Sequence, residues 1–162
     1  MKTPSQDRRQ TELREEKPPP KGLDALADIV VGRVRRRRSL VPALLREAEA
    51  VDALEPQFEH LTDHDLKARL AALAEEFRRR PRPAAPIVRE ALAGVREAAR
   101  RTLQLRARVV QLAGALAMHR GYLAELATGE GKTLSAGLAA TLAAWSGHPV
   151  HLITANDYLA SR

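Results

Sequence analysis

Thr128-Gly129-Glu130-Gly131-Lys132-Thr133 is the stretch on which the fold of this chain turns. It follows a short apolar run, Tyr122 to Ala127, and opens an Ala/Leu-rich segment, Leu134 to Trp145. Strand, glycine turn, Lys-Thr and helix, in that order, predict a phosphate-binding loop. Gly129 and Gly131 lack a Cβ, so the backbone can take positive φ and curl its N–H groups inward. Those N–H groups, with a helix N-terminus behind them, form a concave anion site. Lys132 is expected to place its ammonium on the β- and γ-phosphates of a nucleotide, and Thr133 to offer its hydroxyl to Mg²⁺. The bland alternative is a glycine turn between a strand and a helix that binds nothing.

The longer form of this loop has a glycine five residues before Gly131, where this chain has Leu126. The shorter form, T-G-x-G-K-T, is typical of helicase-like motors. Downstream, Ser146-Gly147-His148-Pro149 reads as a turn and Val150 to Thr154 as a second strand. A helix separates the two strands, so they are expected to run parallel. The fold class that follows is an α/β P-loop NTPase. A mostly helical N-terminal part precedes the first β-α-β of a parallel sheet, and the motor domain is incomplete.

Bulk composition agrees with a helical leaning. Of 162 residues 44% are apolar but only 3% aromatic, so Ala and Leu must fill the core, and both favour helix. There is no cysteine, which excludes disulfides and thiolate metal sites. The net charge of +7 is uneven: +4 over residues 1–50, −5 over 51–77, +8 over 78–108 and zero over 109–162. The loop therefore lies in a neutral segment, and the basic segment before it invites anionic partners. Neither a signal peptide nor a run of ~20 strongly apolar residues is visible, which points to the cytoplasm.

Residues 1–22 are polar, with Pro18-Pro19-Pro20, and read as a disordered arm. Residues 23–83 read as a basic N-terminal helical region. It begins with an amphipathic patch, Leu23 to Val31, and a basic cluster, Arg33 and Arg35 to Arg38, which is either a solvated helix surface or a docking patch for a membrane or partner. Leu40, Leu44, Leu45, Ala48, Val51 and Leu54 share one helical face, and Glu55-Pro56 interrupts it. Thr62 is placed to cap a helix carrying Leu66, Leu70, Leu73 and Phe77, with Asp65 completing a capping-box-like pattern. Pro81 and Pro83 end that helix. Residues 84–162 read as the start of a nucleotide-binding domain. A helix from near Pro86 carries Leu92, Val95, Ala99 and Leu103, with Arg89, Arg96 and Arg100 mostly off that stripe. A break is expected over Gln104 to Arg108, then a short helix from Val109 to His119, closed by Gly121. The five histidines read as surface residues, because His60 and His64 lack a third ligand.

Gln111 stands 18 residues before Gly129, and its amide offers the donor and acceptor that an adenine edge needs. Ala53-Leu54-Glu55-Pro56, Leu61 to Lys67, Val88 to Ala91, Leu105-Arg106 with Val110-Gln111-Leu112, His119 to Thr133, and Val150 to Ala160 together resemble the SecA family, the ATPase motors of bacterial preprotein translocation. The likeness spans about residues 40–162, and Asn156-Asp157-Tyr158-Leu159-Ala160 is its most specific run.

The resemblance implies ATP and Mg²⁺ as cofactors. It implies Gln111 on adenine and Gly129, Glu130, Gly131, Lys132 and Thr133 around the phosphates, with Thr133 on the metal and Arg162 near the nucleotide. The implied partners are a SecYEG-type membrane channel, preprotein substrates, anionic phospholipids and, in the full-length protein, a second copy. The implied location is the cytoplasm and the cytoplasmic face of the inner membrane. One departure stands beside Gln111: the family's His-Phe-Asp-like triplet is Ala107-Arg108-Val109 here, without an aromatic. Hydrolysis also needs an acidic strand and arginines from a second motor domain. The chain is therefore expected to be the N-terminal piece of a longer motor, with no catalytic residues of its own. Two competing readings are a helicase-like ATPase stimulated by nucleic acid, and a non-catalytic fragment docking on membrane or channel. No aromatic interleaves with the arginines to stack bases, which counts against the first.

Overall fold

The structure, a computed structural model, describes residues 40–80, 83–147 and 149–154. The predicted arm, the amphipathic patch, the Arg33–Arg38 cluster, the Asn156–Ala160 run and Arg162 lie outside the described residues. Among the described residues six helices follow one another: α1 (Leu40–Asp52), α2 (Glu55–Glu59), α3 (Asp63–Arg79), α4 (Ala85–Leu103), α5 (Val109–His119) and α6 (Lys132–Trp145). None of them is long and apolar enough to cross a membrane.

The helix ends follow local chemistry. Thr62 caps α3: its Oγ1 accepts from the Asp65 backbone N–H at 3.2 Å and donates to the Asp65 carboxylate at 2.7 Å. Pro56 and Pro86 sit in the first turns of α2 and α4, where a missing N–H costs nothing. Glu55-Pro56 therefore starts a short helix rather than merely interrupting one. Gln104, at φ +56°, ends α4 in the left-handed region. After α5, Gly121 at φ +79° donates to Met118 O, and Tyr122 N–H reaches back to Ala117 O at 3.0 Å. That pair of bonds is a Schellman closure, which needs a residue tolerant of positive φ.

One core joins helices from both sides of residue 83. Helix α5 packs on α1 and α6, and α4 packs on α1, α2, α3 and α6. Phe77, Leu92, Leu112, Leu116, Leu138 and Leu142 are fully buried, each worth ~1.5–3 kcal/mol of apolar transfer. At one end Phe77 meets Trp145 edge-on, with ring centroids 5.9 Å apart, and His119 at 6.1 Å. His119 is thus half-buried against a ring rather than on the surface. At Gly94 an added Cβ would lie 2.8 Å from Leu70 Cδ2 and 2.9 Å from Phe58 Cε1, so α4 approaches its neighbours closely there.

The helical part matches expectation; the parallel pair of strands is not formed among the described residues. Tyr122–Ala127 and residues 149–154 run as irregular chain beside α6. Leu123 is 101% exposed and Ile153 92%, whereas a parallel strand buries both its faces. Ala124 and Leu126 turn inward, Ala124 against the core and Leu126 close to Gly114 of α5.

Candidate nucleotide-phosphate site

The loop between the irregular segment and α6 is a tight turn. Glu130 N–H donates to Ala127 O at 3.2 Å. Gly129 and Gly131 take φ +90° and +74°, the conformation for which glycine was expected. Gly131 is the N-cap of α6, and its carbonyl accepts from Leu134 and Ser135. The backbone N–H groups of Gly129, Gly131, Lys132 and Thr133 donate to no described group. Unpaired N–H groups on a curled backbone at a helix start are the donor set a phosphate requires. Thr133 and Lys132 are both exposed beside it, and the Lys132 ammonium donates to Ala127 O at 3.0 Å.

Gln111, near the start of α5, reaches this loop. Its Nε2 donates to Glu130 O at 2.9 Å, and its Oε1 accepts from Arg108 N–H at 2.9 Å. The side chain lies so close to the turn that a Cβ on Gly131 would stand 2.2 Å from Nε2. Gly131 is therefore required twice, for its φ and for the space Gln111 takes. The amide keeps one further lone pair on Oε1 and one further hydrogen on Nε2. Ala107, first residue of the altered triplet, is wholly buried.

Sequence reasoning missed how the acidic and basic segments use each other. Arg96 is only 3% exposed, although it lies off the apolar stripe of α4. It reaches Asp52 at 2.7 Å and Glu55 at 3.5 Å, at the corner between α1 and α2. Arg106 grips the same Glu55 with both arms, at 2.7 and 2.5 Å. Arg101 pairs with Glu97 and Asp63 and donates to Phe58 O and Leu61 O, closing the end of α2. Arg69 pairs with Glu90 and Arg120 with Glu47. The hydrogen bonds from Arg106 hold the Glu55 carboxyl below the usual carboxylate range, against the opposing effect of burial. Bonds from Arg100 do the same for Glu97. Much of the excess charge over 78–108 is thus met within the chain. The opposite signs of two successive segments were the available signal. Ser135 was also missed: it is buried against α5, and its Oγ has no partner among the described residues.

The sequence model of the SecA DEAD-like domain matches residues 30–162. This chain belongs to the SecA DEAD-like domain family. It is 42% identical over 159 residues to a protein named protein translocase subunit SecA 2 from Chlorobium chlorochromatii, covering 98% of the chain and 24% of that protein. It is 47% identical over 122 residues to protein translocase subunit SecA of Desulforudis audaxviator, covering 75% of the chain and 13% of the relative. Chloroplastic translocase subunit SECA2 of Arabidopsis thaliana is 48% identical over 117 residues, which are 72% of the chain and 11% of that protein. The chain thus spans a quarter or less of each of these SecA relatives. The family implies a nucleotide and Mg²⁺, and the residue types present fit the phosphate end of such a ligand: the loop carries four N–H groups that donate to no described group, one ammonium and one exposed hydroxyl.

Proposed function

We propose that this chain is the nucleotide-gripping beginning of a SecA-type motor, one that couples ATP hydrolysis to moving preproteins across a bacterial cytoplasmic membrane. The observation that carries this reading is the loop from Ala127 to Thr133, with four N–H groups that donate to no described group and its clasp by Gln111. Gly129, Gly131, Lys132 and Thr133 offer backbone N–H groups and Lys132 its ammonium to the phosphates, with Glu130 in the turn around them. To do so, Lys132 leaves Ala127 O and turns toward the β- and γ-phosphates. Thr133 lends its hydroxyl to Mg²⁺, which supplies charge neutralisation between those phosphates. Gln111 meets adenine with the lone pair and hydrogen it still has.

Residues 84–162 open the nucleotide-binding domain on this reading, after a basic N-terminal helical region, 23–83, whose described helices α1 to α3 pack against α4, α5 and α6. Tyr122–Ala127 and Val150–Thr154, irregular here, become its first two parallel strands when the rest of the sheet pairs with them; their exposed apolar side chains suit a sheet covered on both faces. The motor's partners are a SecYEG-type channel, preproteins and anionic phospholipids, at the cytoplasmic face of the membrane, with a second copy in the full-length protein. Nucleic acid is not favoured, because arginines that would meet it are spent on Asp52, Glu55, Asp63 and Glu97.

Calorimetric titration of the 162-residue chain with Mg·ATP tests this. Binding that Lys132→Ala removes, with little steady-state turnover, is expected. A chain that ignores Mg·ATP while showing its full helical circular dichroism overturns it.

A further inference from the structure

We infer that Arg106 is a positioning residue for the nucleotide site, holding Gln111 against the phosphate loop by anchoring the α4–α5 connector to the α1–α2 corner. This rests on the nucleotide reading proposed above, and it adds a residue in contact with neither loop nor ligand. The connector Gln104–Arg108 leaves α4 through a left-handed residue and enters α5 without regular structure. Residues 105–107 make no backbone–backbone hydrogen bond among the described residues. Two side-chain anchors remain. Ala107 is wholly buried, which fixes one point of the connector. Arg106 fixes the adjacent one through its two-armed grip on Glu55, with Asp52 at 3.6 Å.

Two residues on, Arg108 donates its N–H to Gln111 Oε1, and Gln111 Nε2 donates to Glu130 O. Two peptide steps through buried Ala107 and two hydrogen bonds therefore carry the position of the α1–α2 corner into the loop. Planar guanidinium meeting carboxylate in two parallel bonds fixes direction as well as distance. The corner is stiff because Arg96 holds Asp52 and Glu55 from behind. Arg106 is 51% exposed on its side chain, so its removal strands no buried charge, and Glu55 keeps Arg96 as partner. Its loss is expected to be felt at the loop more than in global stability.

The test compares the parent chain with Arg106→Gln, Arg106→Lys and a control, Arg78→Gln, an arginine that among the described residues pairs only with Glu75 on its own helix. Two quantities are read: solvent exchange of the Gln111 side-chain amide by ¹⁵N NMR without nucleotide, and Mg·ATP affinity. Arg106→Gln is expected to speed the exchange and weaken ATP binding, each by roughly tenfold, with a melting temperature near the parent's. Arg106→Lys keeps the charge but not the fork, and should recover part of both; Arg78→Gln should change neither. Parent-like exchange in Arg106→Gln overturns the inference, as does a loss equal in the control. If Arg106→Gln does not fold, Arg106→Lys decides on the same two quantities. If the parent itself fails to bind ATP, the nucleotide reading falls, and the exchange measurement still decides whether Arg106 holds Gln111.

Discussion

Replacing Gly131 by alanine separates the two demands made on that position. The first is conformational: φ of +74° is costly for a residue with a Cβ, about 1–2 kcal/mol. The second is steric: the new Cβ would stand 2.2 Å from Gln111 Nε2. That neighbour is the end of a flexible side chain, so it moves away rather than forcing the backbone. In moving it gives up its bonds to Glu130 O and Arg108 N–H, at a net ~1 kcal/mol each. Gly131→Ala should therefore cost roughly 3–4 kcal/mol in the parent, and only the conformational ~1–2 kcal/mol in a Gln111→Ala background, where nothing remains to be displaced. Gly129→Ala is the control: its φ is +90°, but no atom lies within 4 Å of an added Cβ, so it should cost the same in both backgrounds. Urea denaturation followed by circular dichroism gives all six stabilities, provided the m-value is unchanged between variants. Equal costs of Gly131→Ala with and without Gln111 would refute the claim that the glutamine occupies the space of the missing Cβ.

Lys132→Ala should abolish Mg·ATP binding yet shift the urea midpoint little, because Lys132 is exposed and makes a single bond to Ala127 O. Gly94→Ala raises helix propensity but drives a Cβ against Leu70 and Phe58; overpacking of ~1–3 kcal/mol should win, and a stabilised variant in thermal melts would contradict the packing described. Burial depresses the His119 pKa below its ordinary 6.5, with Arg120 adding to the effect. The unfolded chain then binds the proton more readily. Stability is complete above pH ~6.5 and declines as pH falls toward the lowered folded value, and His119→Phe should flatten that decline in urea midpoints measured from pH 8 to 5. Glu55 is also depressed, so its contribution holds above the ordinary carboxylate range and is lost as acid reaches the lower folded value. Glu55→Gln should accordingly lower stability at neutral pH and soften the acid-induced loss.

The loop and the helix bounded by Val109 and His119 were legible because their signals are local. Two glycines, a Lys-Thr pair and a Schellman glycine each dictate backbone within a few residues of themselves. Thr62 likewise announced the start of α3. What the sequence did not yield depends on residues far apart along the chain. Periodicity put Arg96 mostly off the apolar stripe and gave no sign of its burial. It is buried because carboxylates from a different pair of helices cover it, and no window of one helix contains them. Gln111 was singled out for the hydrogen-bonding capacity of its amide; that it lies across the phosphate loop emerges only when α5 packs on α6. The strand expectation for Tyr122–Ala127 and Val150–Thr154 came from apolar content and from the intervening helix. A strand is completed by hydrogen bonds to a neighbour, and among the described residues none pairs with either segment as a ladder.

Small side chains line α5: Ala113, Gly114, Ala115 and Ala117 are buried along it, and Gly114 lies against Leu126 and Ser135, which flank the phosphate loop. Alanine and glycine have no rotamers, so such a wall cannot yield by side-chain rearrangement, and an interior at crystal-like density transmits a push instead of absorbing it. Any displacement of the loop must then be taken up in its own backbone, at Gly129 and Gly131, while α5 stays put and acts as a fixed rail.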